Sequence, residues 1–483
     1  MSALMLSTGI AIWFAAGAAL SHLARRRMGY GIEEYFLASR RLGGFISAMT
    51  YSATTYSAFM MVGLVGLTYA SGVGSLGFEL TYLMGTVILL VLFAPRYWVA
   101  GRLFGCVTPA ELLKVRYQNK WVGGVTALLC LAMLIPYASV QLMGVGYLME
   151  ALSGGAISYM TGTIIAASIT VVYSWWAGLR SVAWTDALQA CVMFIASCIL
   201  LLFVWLRFFP GSAFAFEAVR PEMLRVSWSF PMFLGLTLPW AFFALTNPQV
   251  AQRMYVPKNV QSLRRMILGF AVFGFVYTVI CVILGLAATV VVPGLKVADN
   301  AMPELLRRVP PLLALVVFLS ITAAAVSTLN SIILTLSSMF GRDIIKAFEP
   351  AMSESRELFW GKLFIPILTV ACLIFAQLKL GLIAVMSAMA SGGLLLQLPA
   401  IVGCFFWKRA TAAGAIWSMA VGGVLVGGMY VLNLKPLGHW PAVWGLLICT
   451  AIFVSVSLAT SPPKDTASFM EKVSEGLKAH FWR

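Results

Sequence analysis

Charged and titratable side chains are scarce in this sequence of 483 residues. Only 10% of the residues are charged, three are histidines, and 61% are hydrophobic, with a mean hydropathy of +0.93. A water-soluble core cannot absorb so much apolar sequence, so the composition predicts an all-α polytopic membrane protein. The apolar runs are continuous and do not alternate, which excludes a β-barrel.

The predicted membrane segments lack titratable residues near their middles. Glu79 stands at the outer end of the third segment, and Asp186 stands at the inner end of the sixth. A proton-coupled carrier usually needs a titratable group along its path, and an integral-membrane enzyme needs a nucleophile with a base or a set of metal ligands. Neutral hydroxyls and carbonyls suit Na⁺ better, because a hard cation takes oxygen ligands.

Cysteine pairs are also missing. None of the eight cysteines forms a CxxC pair, and all but Cys106 lie within apolar segments. We therefore expect neither a disulfide framework nor a site for a transition metal.

Thirteen apolar segments reach the length that spans a membrane. They lie near residues 4–23, 44–71, 79–100, 121–149, 157–178, 184–209, 230–247, 266–293, 311–340, 361–378, 381–406, 412–434 and 440–461.

The basic residues are distributed unevenly between the loops on the two sides of these segments. With the N-terminus outside, 25 lysines and arginines fall on the cytoplasmic side and 8 on the outside, and 25 + 8 gives the 33 of the sequence. Because cytoplasmic loops carry the basic excess, we expect an odd number of spans in the plasma (inner) membrane, with Ser2 outside and Arg483 in the cytoplasm. The net charge of +16 then reflects topology and not a nucleic-acid partner. The three arginines at 25–27 indicate a retained first helix and not a cleaved signal peptide.

Two of the thirteen segments are interrupted. The second contains the hydroxyl-rich run 52–57, and the seventh contains Pro239 and ends at Asn247, directly before another proline. Such interruptions free backbone carbonyls, which need a cavity, a partner helix or an ion. Broken helices at corresponding positions of two halves are typical of transporter binding sites, and a separation of five segments fits a five-plus-five repeat.

A run of small residues and hydroxyls, 321–331, lies within the ninth segment. Ser327 and Thr328 follow Ala324 by three and four residues, which places the three side chains on one face of a helix. The neighbouring alanines leave room for another helix to approach closely. This pattern fits a buried oxygen site for a small hard cation. It also fits a tight helix contact in which each hydroxyl bonds a carbonyl one turn back.

Five motifs, taken in order, resemble the sodium/solute symporter family, and its proline and pantothenate branches in particular. They are residues 34–43 (EYFLASRRLG), 108–111 (TPAE), 178–189 (GLRSVAWTDALQ), 247–253 (NPQVAQR) and 323–331 (AAAVSTLNS). The resemblance implies about thirteen transmembrane helices with a LeuT-type five-plus-five inverted repeat. It also implies alternating access and coupling of Na⁺ entry to the uptake of a small organic solute.

The resemblance further implies a division of the chain into five parts. These are a first helix with its cytoplasmic loop (1–43), a first repeat with helices two to six (44–209), a second repeat with helices seven to eleven (210–406), helices twelve and thirteen (407–461) and a cytoplasmic tail (462–483). The tail has apolar residues at four-residue spacing against lysines, which predicts an amphipathic surface helix.

A sodium site between the second and ninth helices is implied by the same resemblance. Its ligands would be the carbonyls of Ala53, Tyr56 and Ala324 and the hydroxyls of Ser327 and Thr328. The proline branch carries an aspartate in its second helix, where this chain has the neutral Thr55.

Seven residues are expected along the substrate path: Thr54, Thr55, Tyr137, Gln141, Trp240, Asn247 and Gln397. Trp240 resembles an aromatic gate over the substrate, and a packed or lipid-facing ring is the alternative. Gln141 and Gln397 indicate either a ligand contact or an interhelical hydrogen bond.

Two further residues are expected near the cytoplasmic ion exit. Asp186 resembles the family's aspartate there, with a helix N-cap beside Thr185 as the alternative. Arg40 resembles an arginine under the second helix, with a snorkelling anchor at the membrane interface as the alternative.

The predicted function is therefore Na⁺-coupled symport of a small organic solute by a functional monomer in the lipid bilayer. Na⁺ is the coupling ion and no cofactor is expected. A solute channel or facilitator without ion coupling is the alternative, followed by an integral-membrane enzyme.

Overall fold

The computed structural model describes residues 2–26, 29–211 and 215–481, and it is 84% helical with no strand among those residues. Arg27 and Arg483, which the topology prediction uses, lie outside the described residues. The helices are α1 (Ala3–Arg25), α2 (Ile32–Leu37), α3 (Gly44–Thr55), α4 (Val65–Ser71), α5 (Gly74–Phe104), α6 (Pro109–Tyr117), α7 (Lys120–Leu152), α8 (Tyr159–Phe208), α9 (Phe230–Ala241), α10 (Phe243–Thr246), α11 (Pro248–Ala251), α12 (Val260–Val291), α13 (Ala301–Leu306), α14 (Pro311–Met339), α15 (Lys346–Phe348), α16 (Glu354–Gln377), α17 (Ile383–Leu394), α18 (Leu398–Phe406), α19 (Ala412–Val431), α20 (Pro441–Ala459) and α21 (Thr466–Phe481). Short π turns follow α3 and α14, at Phe59–Leu64 and Phe340–Ile345.

The described residues contain ten helices that are long and apolar enough to cross a membrane, or eleven if one bent pair counts as a span. This confirms an all-helical, multi-pass protein but not the predicted count of thirteen. Two of the thirteen predicted segments, 157–178 and 230–247, have no candidate span of their own. The first forms the beginning of the 50-residue α8, and the second divides into the short helices α9 and α10.

Gly178 produces the kink that divides α8. Its φ of 58° and ψ of 178° are not helical, and glycine adopts this conformation without a Cβ clash. The chain before Gly178 therefore runs in a different direction from the candidate span Gly178–Phe208.

The predicted interruption of the second segment is present. Helix α3 ends at Thr55, Tyr56 is extended with φ −94° and ψ 99°, and the halves Gly44–Thr55 and Phe59–Ser71 meet at an angle of 50°. The break contains neither glycine nor proline. Instead, the Ser57 hydroxyl accepts a hydrogen bond from Phe59 N at 3.2 Å, which is the local competition with helix bonding that such side chains offer.

The interrupted seventh segment meets this break in the core of the bundle. The rings of Phe59 and Trp240 are 4.9 Å apart, which joins the first residue of the π turn to the end of α9. The helix is interrupted again at Asn247, whose extended backbone (φ −93°, ψ 108°) separates α10 from α11. Both interruptions therefore face the same part of the interior, where freed carbonyls can find partners.

The tail helix α21 differs from the surface helix that its pattern predicts. Phe469, Val473 and Leu477 are buried against the protein, and the Phe469 ring stacks on Phe104 at 4.8 Å. Arg116 also donates to Thr466 Oγ1 at 3.0 Å. The apolar face of α21 therefore docks on α5 and does not lie in the membrane surface.

Candidate functional site: an ion site beside an unsatisfied polar cluster

Four of the five predicted sodium ligands lie together between α3 and α14. The Thr328 hydroxyl is 2.9 Å from Ala53 O, and the Ser327 hydroxyl is 3.2 Å from the same oxygen and 2.9 Å from Ala324 O. Only the bond to Ala324 is the one-turn contact expected of an ordinary helix hydroxyl. The bonds to Ala53 instead join two helices at the last turn before the α3 break.

Tyr56 stands at that break. It follows α3 as its C-cap residue, and its N–H donates to Ser52 O at 2.7 Å. Its ring stacks on Phe270 at 5.5 Å, which fixes the residue in position. Because α3 ends here, no regular helix hydrogen bond of α3 uses the Tyr56 carbonyl.

The chemistry of this group suits a small hard cation. Ser327 and Thr328 are 0% exposed, as is Ala53, and every ligand candidate is a neutral oxygen. A hydroxyl that donates its proton to a carbonyl retains lone pairs, so the side chains can turn these lone pairs towards a cation. Na⁺ could be held by oxygens of Ala53, Ala324, Ser327 and Thr328, with Tyr56 beside them.

A second buried polar group lies nearby on the same helices. The Thr54 hydroxyl is 3.1 Å from Ser331 Oγ, and Arg253 donates to that Ser331 oxygen at 2.7 Å. Thr50 donates to Asp186 Oδ2 at 2.6 Å. Thr54, predicted on the substrate path, thus has its hydroxyl against Ser331. Sequence reasoning gave Arg253 no role, although it belongs to the 247–253 motif.

Asp186 is not a helix N-cap. It lies eight residues into the candidate span Gly178–Phe208 and is 0% exposed, and no described residue gives its Oδ1 a hydrogen bond. The Thr185 hydroxyl bonds back to the carbonyls of Ser181 and Val182. The capping alternative is therefore wrong.

Arg40 is held by protein groups and does not extend to the membrane interface. It is 8% exposed, its Nε is 2.5 Å from Glu33 Oε1, and its Nη2 donates to Cys106 O at 2.8 Å. Its guanidinium also lies 5.7 Å from the centre of the Tyr255 ring. The snorkelling alternative is therefore wrong. Arg40 bonds Glu33 and Cys106, whereas Asp186 bonds Thr50, so no shared hydrogen-bond partner joins the two residues predicted at the ion exit.

The Arg40 loop is fixed further by an ion pair between Glu34 on α2 and Arg180. Burial alone would raise the pKa of the Glu34 carboxyl, but hydrogen bonds from Arg180 and Ser39 and the Arg180 charge outweigh burial and lower that pKa. Glu34 is therefore ionised at neutral pH. Its ion pair with Arg180 anchors the loop to the part of α8 that follows Gly178.

Trp240 is the centre of an aromatic cluster. Its ring stacks on Phe243 at 5.0 Å and lies 5.4 Å from Tyr82 and 6.2 Å from Tyr137. It also contacts Phe59 at the break of the second segment. The ring is 1% exposed, so it faces neither lipid nor water in this conformation. Of the predicted path residues, Trp240 and Tyr137 are thus brought together.

Several polar groups in this part of the bundle are buried without a hydrogen-bond partner among the described residues. They include both amide atoms of Gln141, both amide atoms of Asn247, the Trp240 indole N–H and the Thr55 hydroxyl. Buried polar atoms are normally satisfied, and an unsatisfied one costs about 1–3 kcal/mol, so each requires an explanation. A polar solute or a water molecule that forms hydrogen bonds with these groups would explain them.

Gln397 has a different environment from Gln141. Its Nε2 donates to Thr246 O at 2.6 Å, the carbonyl at the second interruption of the seventh segment. Of its two alternatives, Gln397 therefore makes the interhelical hydrogen bond.

Glu79 is a residue that sequence reasoning missed. It lies in the second turn of α5, is 0% exposed, and neither carboxylate oxygen has a hydrogen-bond partner within the described part of the chain. It stands three residues before Tyr82, which contacts Trp240. The available signal was its position as a lone acid in an apolar run.

The comparisons with known proteins agree with this architecture. Residues 35–422 match the profile of the Sodium:solute symporter family. The chain is 28% identical over 479 residues to the sodium/pantothenate symporter of Escherichia coli (strain K12), covering 94% of this chain and 96% of that protein. It is 25% identical over 475 residues to the sodium/proline symporter of Haemophilus influenzae (strain ATCC 51907 / DSM 11121 / KW20 / Rd), covering 92% and 93%.

Two solved structures share the fold. An outward-open, substrate-bound Na⁺-coupled sialic acid symporter superposes with a TM-score of 0.77 at 17% identity, over 95% of this chain and 98% of that one. A nucleobase-cation-symport-1 family transporter superposes with a TM-score of 0.57 at 14% identity, over 91% and 98%. The fold is therefore that of the LeuT-like transporters. Since the family match covers most of the chain, this protein belongs to the sodium:solute symporter family, and it is a Na⁺-coupled symporter rather than an enzyme.

Proposed function

We propose that the Na⁺ whose inward movement drives solute import binds between α3 and α14, at Ala53, Tyr56, Ala324, Ser327 and Thr328. The observation that carries this proposal is the convergence of two hydroxyls, from Ser327 and Thr328, on the single carbonyl of Ala53. Five oxygens with no fixed charge make a weak site, which allows release into the cytoplasm after each cycle.

The solute is proposed to bind beside this site, where the Trp240 cluster lies close to the break of the second segment. Gln141, Asn247 and Trp240 have hydrogen-bonding capacity that the protein does not fill. We propose a small organic solute rich in hydrogen-bond acceptors. Pantothenate and proline, named for the relatives, are the first two to test. Thr54, Thr55 and Tyr137 complete the proposed path, and Asp186 and Arg40 the proposed ion exit.

The finer topology is also a proposal. The arm of α8 before Gly178 and the interrupted run α9–α10 would complete thirteen spans, with repeats at 44–209 and 210–406. The 25-to-8 distribution of basic residues supports an external N-terminus and a cytoplasmic C-terminus in the plasma membrane. We further propose that one chain embedded in lipid is the functional unit.

Counterflow in proteoliposomes tests the transport mechanism. Vesicles loaded with unlabelled solute should accumulate labelled solute transiently when Na⁺ is present on both sides, because an alternating-access carrier exchanges one solute for another. A channel or facilitator with an open pore would equilibrate the label without overshoot. A thermal-shift screen identifies the solute first, since a ligand that binds only the folded protein raises its melting temperature.

A further inference from the structure

We propose that a groove on the lipid-facing side of the bundle binds one acyl chain of an anionic phospholipid. The groove has a volume of about 660 Å³ and lies between α3, α8 and α12. Small residues and one arginine line much of it: Gly44, Ala48, Ala190, Cys191, Gly269 and Arg265.

Small side chains create this groove. A methyl group on Gly269 would lie 2.7 Å from Ala48 Cβ, so α12 and α3 approach each other too closely for a larger residue. Phe45 and Leu268 are exposed on either side and form its edges. The result is an apolar groove between three helices, with exposed apolar side chains at its edges.

The length of the groove matches one leaflet. Arg265 and Phe273 both line it and are eight residues apart on α12, which corresponds to a rise of about 12 Å. The hydrocarbon half of a bilayer is about 15 Å thick. Phe273 contacts Phe194, with ring centres 5.5 Å apart, at the inner end. A single lipid chain entering beside Arg265 would therefore end near the middle of the membrane.

The charge at the mouth favours an anionic headgroup. Arg265 is exposed, and it takes part in none of the ion pairs among the described residues. Its side chain lies over Gly44, where a methyl group would be 2.7 Å from Arg265 Cβ. The single phosphate charge of an anionic lipid such as phosphatidylglycerol is not balanced by a headgroup cation, so it would meet Arg265 without competition from a carboxylate of the described residues.

The groove also lies against the elements that the ion site depends on. Met49, which lines it, precedes Thr50, and Ala190 stands one turn after Asp186. Thr50 and Asp186 form the 2.6 Å hydrogen bond between α3 and α8. A bound chain would thus support the packing of α3 against α8 and α12, and lipid composition would affect the stability of this contact.

Two natural cysteines of α8 provide the test. Cys191 lines the groove, whereas Cys198 is two turns further along the same helix, is also half-buried, and lies outside it. Purified protein carrying either Cys198→Ser or Cys191→Ser is labelled with an apolar maleimide in detergent. Saturating dioleoyl phosphatidylglycerol should slow labelling of Cys191 about tenfold and leave Cys198 unchanged, as expected when ligand-bound protein outnumbers free protein by that factor. Dioleoyl phosphatidylcholine should protect Cys191 less, and Arg265→Gln should remove the difference between the two lipids.

Filling the groove provides an independent readout. Cys191→Phe should abolish the rise in melting temperature that phosphatidylglycerol gives, and the matched variant Cys198→Phe should retain it. Equal protection of both cysteines by phosphatidylglycerol, or a full lipid-dependent shift in Cys191→Phe, would overturn the site. Equal protection of Cys191 by the two lipids would overturn its anionic selectivity.

Discussion

The α3–α14 contact and the amides of Gln141 and Asn247, which follow Tyr137 and Phe243 of the Trp240 cluster by one turn, are both buried and polar, but they differ in how their polar groups are satisfied. In the first, the hydroxyls of Ser327 and Thr328 already have carbonyl partners. In the second, the amides of Gln141 and Asn247 have none. A site for a bare ion needs oxygens that are already in place, whereas a site for a polar solute needs bonding capacity that the protein leaves unfilled.

The largest effect should follow from removing both hydroxyls of the proposed ion site. The double variant Ser327→Ala and Thr328→Ala should abolish Na⁺ stimulation of solute uptake. Either single change should raise the half-saturating Na⁺ concentration about tenfold, equivalent to about 1.4 kcal/mol. Alanine favours helix, so the protein should still fold. Initial uptake rates across a Na⁺ series provide the measurement.

A matched control lies on the same helix. The Ser320 hydroxyl makes only a one-turn bond to Val317 O at 2.8 Å, so Ser320→Ala should leave the Na⁺ dependence unchanged. If the double variant retains the wild-type Na⁺ dependence, the ion binds elsewhere and the α3–α14 contact is structural only.

The second effect separates the two glutamines. Gln141→Met should weaken solute binding about tenfold while raising the melting temperature of the solute-free protein, because it removes an unsatisfied buried amide. Gln397→Met should lower that melting temperature, since it removes the donor to Thr246 O. Thermal melting with and without solute measures both quantities. Loss of stability in Gln141→Met would show that its amide has a partner in the folded protein.

A third effect is expected where a paired group becomes unpaired. Ser331→Ala leaves Arg253 Nη2 and the Thr54 hydroxyl without this partner, and hydrogen bonds to charged groups contribute about 1.5–3 kcal/mol. The melting temperature should therefore fall by several degrees. Ser338→Ala, which removes only a bond to Thr335 O one turn back, is the control and should melt close to the wild type. Equal melting of the two variants would contradict the proposed contribution of the Arg253 contact.

The last effect concerns Asp299, whose carboxylate has one paired and one unpaired oxygen. In the loop before α13, one of its oxygens accepts from Ile383 N at 2.9 Å and the other has no partner. Burial raises the pKa of Asp299 from 3.8 to about 7. The folded state therefore binds the extra proton between these values, and its stability falls as the pH rises through that window.

Asp299→Asn should remove this part of the pH dependence. Melting temperatures at pH 5 and pH 8 should differ less in the variant than in the wild type. The same difference in both proteins would mean that Asp299 is ionised throughout the range.

Much of the proposed ion site could be predicted from local sequence. Ser327, Thr328 and Ala324 are neighbours on one helix, and helical periodicity alone places them on one face. The break opposite them was also predictable, because the hydroxyls of 52–57 compete with helix bonding. The contact between Ala53 and Thr328 was implied only by the family resemblance, since these residues are 275 positions apart.

The environment of the buried amides was less predictable. Gln141 and Gln397 are both lone amides in apolar helices, yet one is unpaired and the other bonds Thr246 O. Periodicity cannot distinguish them, because the difference depends on which carbonyl a distant helix presents. The burial of Glu79 was not predictable either, because it depends on how other helices pack around α5.

The sequence by itself determined that this protein is an all-helical membrane protein with two interrupted segments and a hydroxyl pair on a small-residue face. Those properties depend on composition and on spacing within one helix. Only the tertiary structure decided that α21 docks on α5, that Arg40 is held by Glu33 and Cys106, and which amides remain unpaired. Such contacts join residues far apart in the chain, and the partner that a side chain meets depends on how whole helices pack.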